Sequence, residues 1–154
     1  MEMRSGSCRL GLWHVQVHWC GDCIHRVRFA REGISGVVPE PIRQYCAGMP
    51  VDLTTLDAIS LHDEGTYSRI YQEVRKVPYG ETASYGTIAL RAGTGPRVVG
   101  QAMARNSAPL IIPCHRIVAA RGIGGFSPSV EIKEALLLLE QKGLRKILCA
   151  KRSK

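Results

Sequence analysis

Apolar residues in the first thirty positions fall into two alternating runs. Leu12 to Trp19 sets Val15, Val17 and Trp19 on one side, and Ile24 to Phe29 does the same in part with Val27 and Phe29, the period of a half-buried strand. Cys20-Gly21-Asp22-Cys23 between them offers turn chemistry, so a β-hairpin is expected. Pro41 to Ala47 reads as a short helix, and Gly48-Met49-Pro50 breaks it. Residues 54–65 show little pattern and read as a linker.

From Thr66 the period changes. Tyr67, Ile70, Tyr71 and Val74 share one helical face. Ser84 is a good N-cap for a helix carrying Tyr85, Ile88, Ala89 and Ala92 on one side. Gly93-Thr94-Gly95 turns the chain, and Pro96 stands where a first helical residue should. The next helix directs Val99, Ala102 and Met103 inward and leaves Arg97 and Arg105 for other work. Two short helices joined by a glycine turn, the second basic, make a helix-turn-helix candidate. Ser129 caps a last helix with Ile132, Ala135, Leu136 and Leu139 inward, and Gly143 is its expected stop. The fold class is α/β in the α+β sense: a small β-rich N-terminal domain over 1–60 and a helical C-terminal domain over 61–154.

Charge sharpens this division. Residues 1–60 hold six basic and six acidic residues, whereas residues 66–124 hold eight basic residues against Glu73 and Glu81 alone. The tail 142–154 adds six basic residues and no acid. Concentrated positive charge on a helical half points to a polyanion, most often nucleic acid, with a solvated basic surface as the plain alternative. The longest apolar segment, Ala135 to Leu139, is too short to span a bilayer, and Met1 to Arg9 lacks the apolar stretch of a signal peptide. A cytoplasmic protein with access to DNA, making no membrane contact, is expected. The six cysteines are unevenly spread and do not suggest a disulfide framework. Cys8, Cys20, Cys23 and His25 form a loose zinc-ligand set, which competes with a simple hairpin placing Cys20 opposite Cys23.

The candidate chemistry lies at Pro113-Cys114-His115-Arg116, entered by Leu110-Ile111-Ile112. A thiol becomes nucleophilic when cationic or hydrogen-bonding neighbours lower its pKa. Pro113 stiffens the entry and favours an extended Ile112. Taken alone, these four residues fit a core cysteine with a chance histidine neighbour equally well.

Three blocks in order decide between these readings. Val77-Pro-Tyr-Gly-Glu-Thr-Ala-Ser-Tyr-Gly86, Arg97-Val-Val-Gly-Gln-Ala-Met-Ala-Arg-Asn106 and Ile112-Pro-Cys-His-Arg-Ile-Val118 together resemble the O6-alkylguanine-DNA alkyltransferases. The likeness covers about residues 66–143, while the N-terminal part matches only in size and β-rich character. The resemblance implies a ribonuclease H-like N-terminal domain. It also implies a monomer that flips an alkylated guanine out of double-stranded DNA and moves the alkyl group irreversibly to its own cysteine, without a cofactor. Cys114 resembles the acceptor, His115 the base acting through a water, and Glu140 the carboxylate that orients it. Asn106 resembles the tie between the recognition helix and the active-site turn, and Tyr85 the phenol that helps the leaving group. The carbonyls of Cys114 and Ile117 and the N–H of Ser127 would contact the base. Met103 and Phe126 would line its pocket, with Lys133 at the rim. Arg97 resembles the residue filling the gap in the base stack. Arg105 and Arg116 would lie on the DNA or substrate side. The chain departs from the family pattern at Pro96 and Val98, which flank Arg97 with unusual bulk. It departs again in the short loop 124–129, where Phe126 replaces a common tyrosine. Two rivals remain at this point: a lesion-binding or regulatory helix-turn-helix protein without transfer, and a cysteine hydrolase using Cys114 and His115.

Overall fold

The computed structural model describes residues 2–152. Three strands form an antiparallel meander, β1 (Arg4–Leu10), β2 (Trp13–Cys20) and β3 (Cys23–Ala30). The expected hairpin is β2–β3, with Cys20 opposite Cys23 and Gly21 in the left-handed region that a two-residue turn needs. On β2, Val15 and Val17 are fully buried. On β3 the buried residues are Ile24, Val27 and Phe29, a spacing that breaks strict alternation. The register explains it: Trp19 pairs with Ile24 but His18 pairs with Arg26. His25 is therefore an extra residue on β3, and this bulge returns Val27 to the core face.

β1 was not expected, because Arg4-Ser-Gly-Ser-Cys-Arg-Leu10 carries almost no apolar alternation. Its place is set by backbone. The chain at 34–37 crosses it so closely that a Cβ on Gly6 would lie 2.0 Å from the Val37 carbonyl oxygen. The Ser7 hydroxyl both donates to the Ile34 carbonyl (2.8 Å) and accepts from its N–H (2.9 Å).

The short helix is α1 (Glu40–Cys46), which buries Ile42, Tyr45 and Cys46. The segment read as a patternless linker is part of the core. Two 3-10 turns, Leu53–Thr55 and Ile59–Leu61, flank a two-residue strand β4 (Asp57–Ala58) parallel to β3. Leu53, Leu56, Ala58 and Leu61 are all buried. Irregular backbone hides this pattern from a search for a single period.

The C-terminal half contains α2 (Thr66–Arg75), α3 (Tyr85–Ala92), α4 (Pro96–Ala104) and α5 (Val130–Arg152). Ser84 caps α3 by accepting from the Thr87 N–H, and Pro96 opens α4. Gly93 closes α3 in the left-handed conformation (φ 70°), giving the helix-turn-helix. The Tyr71 hydroxyl donates to the Ala102 carbonyl at 2.8 Å and locks α2 against α4. One buried hydrophobic cluster runs through both halves. Among the described residues no helix is long and apolar enough to cross a membrane.

One inward assignment needs correction: Ala135 is exposed. Leu139 and Met103 are partly buried and pack against the core, and Met103 also lines a cavity. Gly143 does not stop α5, which continues to Arg152 and carries the basic tail as helix. Gly143 is buried against Tyr79, and a Cβ there would sit 2.1 Å from the phenol oxygen. It is a close-approach glycine inside a helix.

This reverses the usual sign of a glycine-to-alanine change. In an open helix Gly143→Ala would stabilise by about 1 kcal/mol. Here the Tyr79 ring is fenced by Tyr45, edge-on at 6.0 Å, and by the Arg116 guanidinium at 5.7 Å. Overpacking should instead destabilise by about 1–3 kcal/mol. Thermal denaturation of the full chain checks this, and a raised melting temperature would refute it.

Candidate active site

The cysteine turn is built from backbone bonds around one carbonyl. Asn106, just past the end of α4, accepts from the Ala108 N–H (3.0 Å) and donates its amide to the Ile112 carbonyl (2.9 Å). The Cys114 N–H donates to that same carbonyl at 2.7 Å. Between them Pro113 sits at φ −77°, ψ 67°, the centre of an inverse γ-turn. A 3-10 turn over Cys114–Arg116 follows, and β6 (Ile117–Val118) then pairs with β5 (Ala83–Ser84) in parallel. This strand pair sets Tyr85, the first residue of α3, beside the cysteine turn. Leu110 is left-handed (φ 76°), a conformation costing about 1–3 kcal/mol for a non-glycine residue. Full burial of Leu110, Ile111 and Ile112 holds it there.

Behind the cysteine lies a buried polar cluster. His115 Nε2 is 2.5 Å from Glu140 Oε2, and both side chains are about 1% exposed. An ionised carboxylate only accepts, so Nε2 carries the proton. Nδ1 is buried and has no hydrogen-bond partner among the described residues. Arg116 donates Nε to Glu140 Oε1 (2.9 Å), Nη2 to Oε2 (3.0 Å) and Nη1 to the Val77 carbonyl (2.9 Å). The Gly80 N–H donates to Oε1 (2.8 Å), and the Tyr45 hydroxyl donates to Oε2 (2.5 Å). Burial pushes the Glu140 pKa up, but the hydrogen bonds and charges of His115 and Arg116 outweigh it and hold it at about 2. Burial lowers the His115 pKa against the pull of Glu140, which keeps the imidazole neutral near pH 7. Tyr45 is the member that sequence reasoning missed. Its only signal was a tyrosine among the apolar positions of a short helix.

In front of the cysteine is a cavity of about 360 Å³. Its walls are Gly100, Met103 and Ala104 of α4, Tyr85 of α3, Asn106, Pro109, and the loop residues Gly125, Phe126 and Ser127, with Cys114 reaching it. Phe126 is braced by Phe29 of β3, the ring centroids 5.7 Å apart. Cys114 is 6% exposed. Contrary to the expectation of a low pKa, burial raises its thiol to about 11, and the Asn106 hydrogen bond and the Lys133 charge only partly offset this. The resting group is a protonated thiol.

The structure thus brings together Cys114, His115, Glu140, Asn106, Tyr85, Met103, Phe126 and Ser127. Lys133 is not at a rim: it is fully buried, and its ammonium donates to the carbonyls of Ile117 (2.6 Å) and Gly125 (3.2 Å). The Ile117 carbonyl is therefore already engaged, as is that of Cys114 by the Ile117 N–H. Arg116 does not lie on an outer surface, since its guanidinium is spent inside the Glu140 cluster. Arg97 is exposed at the second position of α4. Arg105 is exposed and donates to the Tyr67 hydroxyl (3.2 Å). The loose zinc set does not assemble. Cys8 pairs with Val15, five residues from Cys20 and so ~17 Å away along the strands, and its thiol hydrogen-bonds Cys46 instead. Among the described residues no three His, Cys, Asp or Glu side chains are placed to hold a metal.

Residues 65–142 match the family described as 6-O-methylguanine DNA methyltransferase, DNA binding domain. A methylated-DNA–protein-cysteine methyltransferase of Methanopyrus kandleri is 43% identical over 99 residues, 64% of this chain and 75% of that relative. The one of Metallosphaera sedula is 50% identical over 82 residues, which is 53% of each chain, so this match spans only about half the relative's length. The crystal structure of the Mycobacterium tuberculosis O6-methylguanine methyltransferase superposes with a TM-score of 0.72 at 25% identity, covering 92% of this chain and 94% of that one. OGT of the same organism in complex with DNA gives 0.70 at 28% identity, covering 89% and 92%. A cysteine turn backed by a His–Glu pair, beside a helix-turn-helix, thus coincides with a family match over half of the sequence and a fold match over nearly all of it: the chain belongs to the O6-methylguanine-DNA methyltransferase family.

Proposed function

We propose that this protein repairs O6-alkylguanine in duplex DNA by flipping the base into the Cys114 cavity and taking the alkyl group onto the cysteine sulfur once. The observation that carries the reading is the position of Cys114 between an open cavity and a buried base. A flipped purine enters between Tyr85, Met103 and Phe126. Sulfur attacks the alkyl carbon, a C–S bond forms, the C–O6 bond breaks, and the bonding pair leaves on guanine. The thiol proton passes through a water to His115 Nδ1, the nitrogen left with a lone pair by the Glu140 bond. Tyr85 and the Ser127 N–H serve the leaving oxygen. Lys133, a buried cation close to Cys114, favours the thiolate as it forms. The thioether product has no proton to return and no leaving group to expel, so the reaction stops at one equivalent.

On the DNA side, the second helix of the helix-turn-helix enters the groove. Exposed Arg91, Arg97 and Arg105 face the polyanion, and Arg97 fills the gap left by the flipped base. The bound state of the Mycobacterium tuberculosis relative supports a DNA partner for this chain.

Intact-mass measurement after incubation with duplex bearing O6-methylguanine tests the reading directly. One added methyl per chain, mapped to Cys114, is expected, with none on Cys114→Ser. Turnover beyond one equivalent would make the protein a hydrolase, and methyl left on the DNA despite binding would make it a lesion binder.

Arg97→Ala should slow single-turnover repair of duplex DNA far more than repair of the free alkylated base. The difference should not exceed a few kcal/mol of unstacking and should shrink opposite a mismatch. An equal small loss on every substrate would show that Arg97 only solvates its helix.

The raised thiol pKa gives a third outcome. At pH 7 a thiol of pKa about 11 is ionised to roughly one part in ten thousand. Reaction of Cys114 with iodoacetamide should be slow beside that of exposed Cys149 and should rise about tenfold per pH unit from 7 to 10. Peptide mapping of the labelled chain reads both rates. Fast labelling of Cys114 at neutral pH would contradict the buried-thiol description.

A further inference from the structure

The N-terminal half meets the His115–Glu140 pair through Tyr45. Tyr45 stands on α1, 95 positions away from Glu140, and is fully buried. Its hydroxyl donates to Glu140 Oε2 at 2.5 Å and lies 3.2 Å from His115 Nε2. The phenol's one proton is directed at the carboxylate, so its oxygen lone pairs face the imidazole N–H. The His115 Nε2–H thus has two acceptors side by side, Glu140 Oε2 and the Tyr45 oxygen. Oε2 in turn receives Tyr45, His115 and Arg116 together.

We propose that Tyr45 is a positioning residue for the transfer reaction: its hydroxyl fixes the His115 ring with the proton on Nε2 and keeps Nδ1 as the lone-pair nitrogen that receives the Cys114 proton. The inference rests on the relay proposed above.

Two effects follow from the geometry. The first is orientation, since a ring N–H shared between two acceptors resists rotation and tautomer exchange. The second is basicity. A donor bonded to Oε2 drains charge from the oxygen that His115 touches and weakens Glu140 as a stabiliser of imidazolium. Tyr45 can keep this role throughout the working range, because burial and the Glu140 charge push its own ionisation well above the ordinary phenol value. The titratable and charged groups facing His115 are Tyr45 from α1, Lys133 and Glu140 from α5, and Cys114 and Arg116 in its own turn, with Tyr79 packed edge-on against Tyr45. Tyr45 alone among them bonds both members of the His–Glu pair without carrying charge.

Tyr45→Phe removes the hydroxyl and keeps the ring that packs edge-on against Tyr79. In that variant Glu140 becomes a stronger partner for imidazolium and the His115 pKa rises. A general base works unprotonated, so the acidic limb of the pH–rate profile should move to higher pH, by about half a unit or more. The single-turnover rate at pH 7 should fall about tenfold, less than the roughly 10²–10⁴-fold credited to a general base itself. Affinity for undamaged duplex should not change. The experiment uses the full chain with O6-methylguanine duplex from pH 5.5 to 9, for wild type, Tyr45→Phe and His115→Ala, with a thermal melt of each.

Nitrogen-15 spectra of the histidine rings in the wild-type protein supply a measurement that needs no variant, with His115→Ala identifying the resonances. Protonated Nε2 and unprotonated Nδ1 are expected for His115, and a proton on Nδ1 overturns the proposal even if Tyr45→Phe fails to fold. A folded Tyr45→Phe with the wild-type rate and limb also overturns it. So does a slower rate with an unmoved limb and an unmoved tautomer, which would reduce Tyr45 to packing. Failure of the relay reading shows differently: wild type leaves Cys114 unmethylated, or His115→Ala transfers at full speed.

Discussion

Everything near the reaction centre is arranged around one buried carboxylate. Glu140 sits on the inner face of α5, where water cannot reach it, and an unpaired charge there would cost about 3–5 kcal/mol. It is satisfied by the Gly80 N–H, by His115 and Arg116 of the cysteine turn, and by Tyr45 of α1. These donors come from three separate stretches of chain. Satisfying the anion therefore requires α1, the bend before α3 and the cysteine turn to close on α5 together. The same closure sets the tight contact of Tyr79 with Gly143, because Tyr79 immediately precedes the donor at Gly80. Its dependence on acid has a definite sign. With a folded pKa of about 2, Glu140 contributes stability above its unfolded value near 4.5, and that contribution is lost as pH falls towards 2.

Burial that orders this cluster also keeps Cys114 a thiol. Cys114 shares the dry interior with His115, and its thiol is raised rather than lowered. On the proposed function, the attacking thiolate is therefore made on demand, by a proton relay and a nearby ammonium, rather than held ready. Lys133 is placed for this. Its ammonium is fixed by two carbonyls of the turn and the loop, so its charge acts on the cavity from a set position. A cysteine protected in this way is spared casual oxidation while retaining a route to ionise when the cavity is filled.

How much of this could be read from residues follows from the range of each interaction. Ser84, Pro96, Gly93 and Ser129 were legible because capping and helix-starting chemistry is decided within four residues. The Pro-Cys-His-Arg turn was legible for the same reason, and the β2–β3 hairpin because its loop has only two residues. The direction of the Cys114 pKa was misread, because neighbours in sequence suggest cations while burial is decided by the whole core. Arg116 and Lys133 were placed outside because long charged residues usually are. Their partners, Glu140 and two loop carbonyls, are not visible from their own surroundings. Gly143 was read as a stop by local rules, and only the distant Tyr79 shows why a glycine is needed. Residues 54–65 and β1 lacked any repeat, since irregular turns and backbone crossings hold them in place.

The sheet has a further consequence at its margins. A three-stranded meander would present two rows of unpaired backbone groups, an invitation to pair with another chain. Here each margin is occupied from within. Along β1, the Ser7 N–H reaches the Gly36 carbonyl at 3.4 Å and the crossing segment lies against Gly6. Along β3, β4 takes the first two residues, and the Val27 N–H donates to the Ser107 carbonyl at 2.9 Å. That second bond comes from the loop leading to the cysteine turn. The segment leading to Cys114 thereby also occupies part of the sheet edge, so loosening it would bare backbone groups of β3 as well as displace the cysteine.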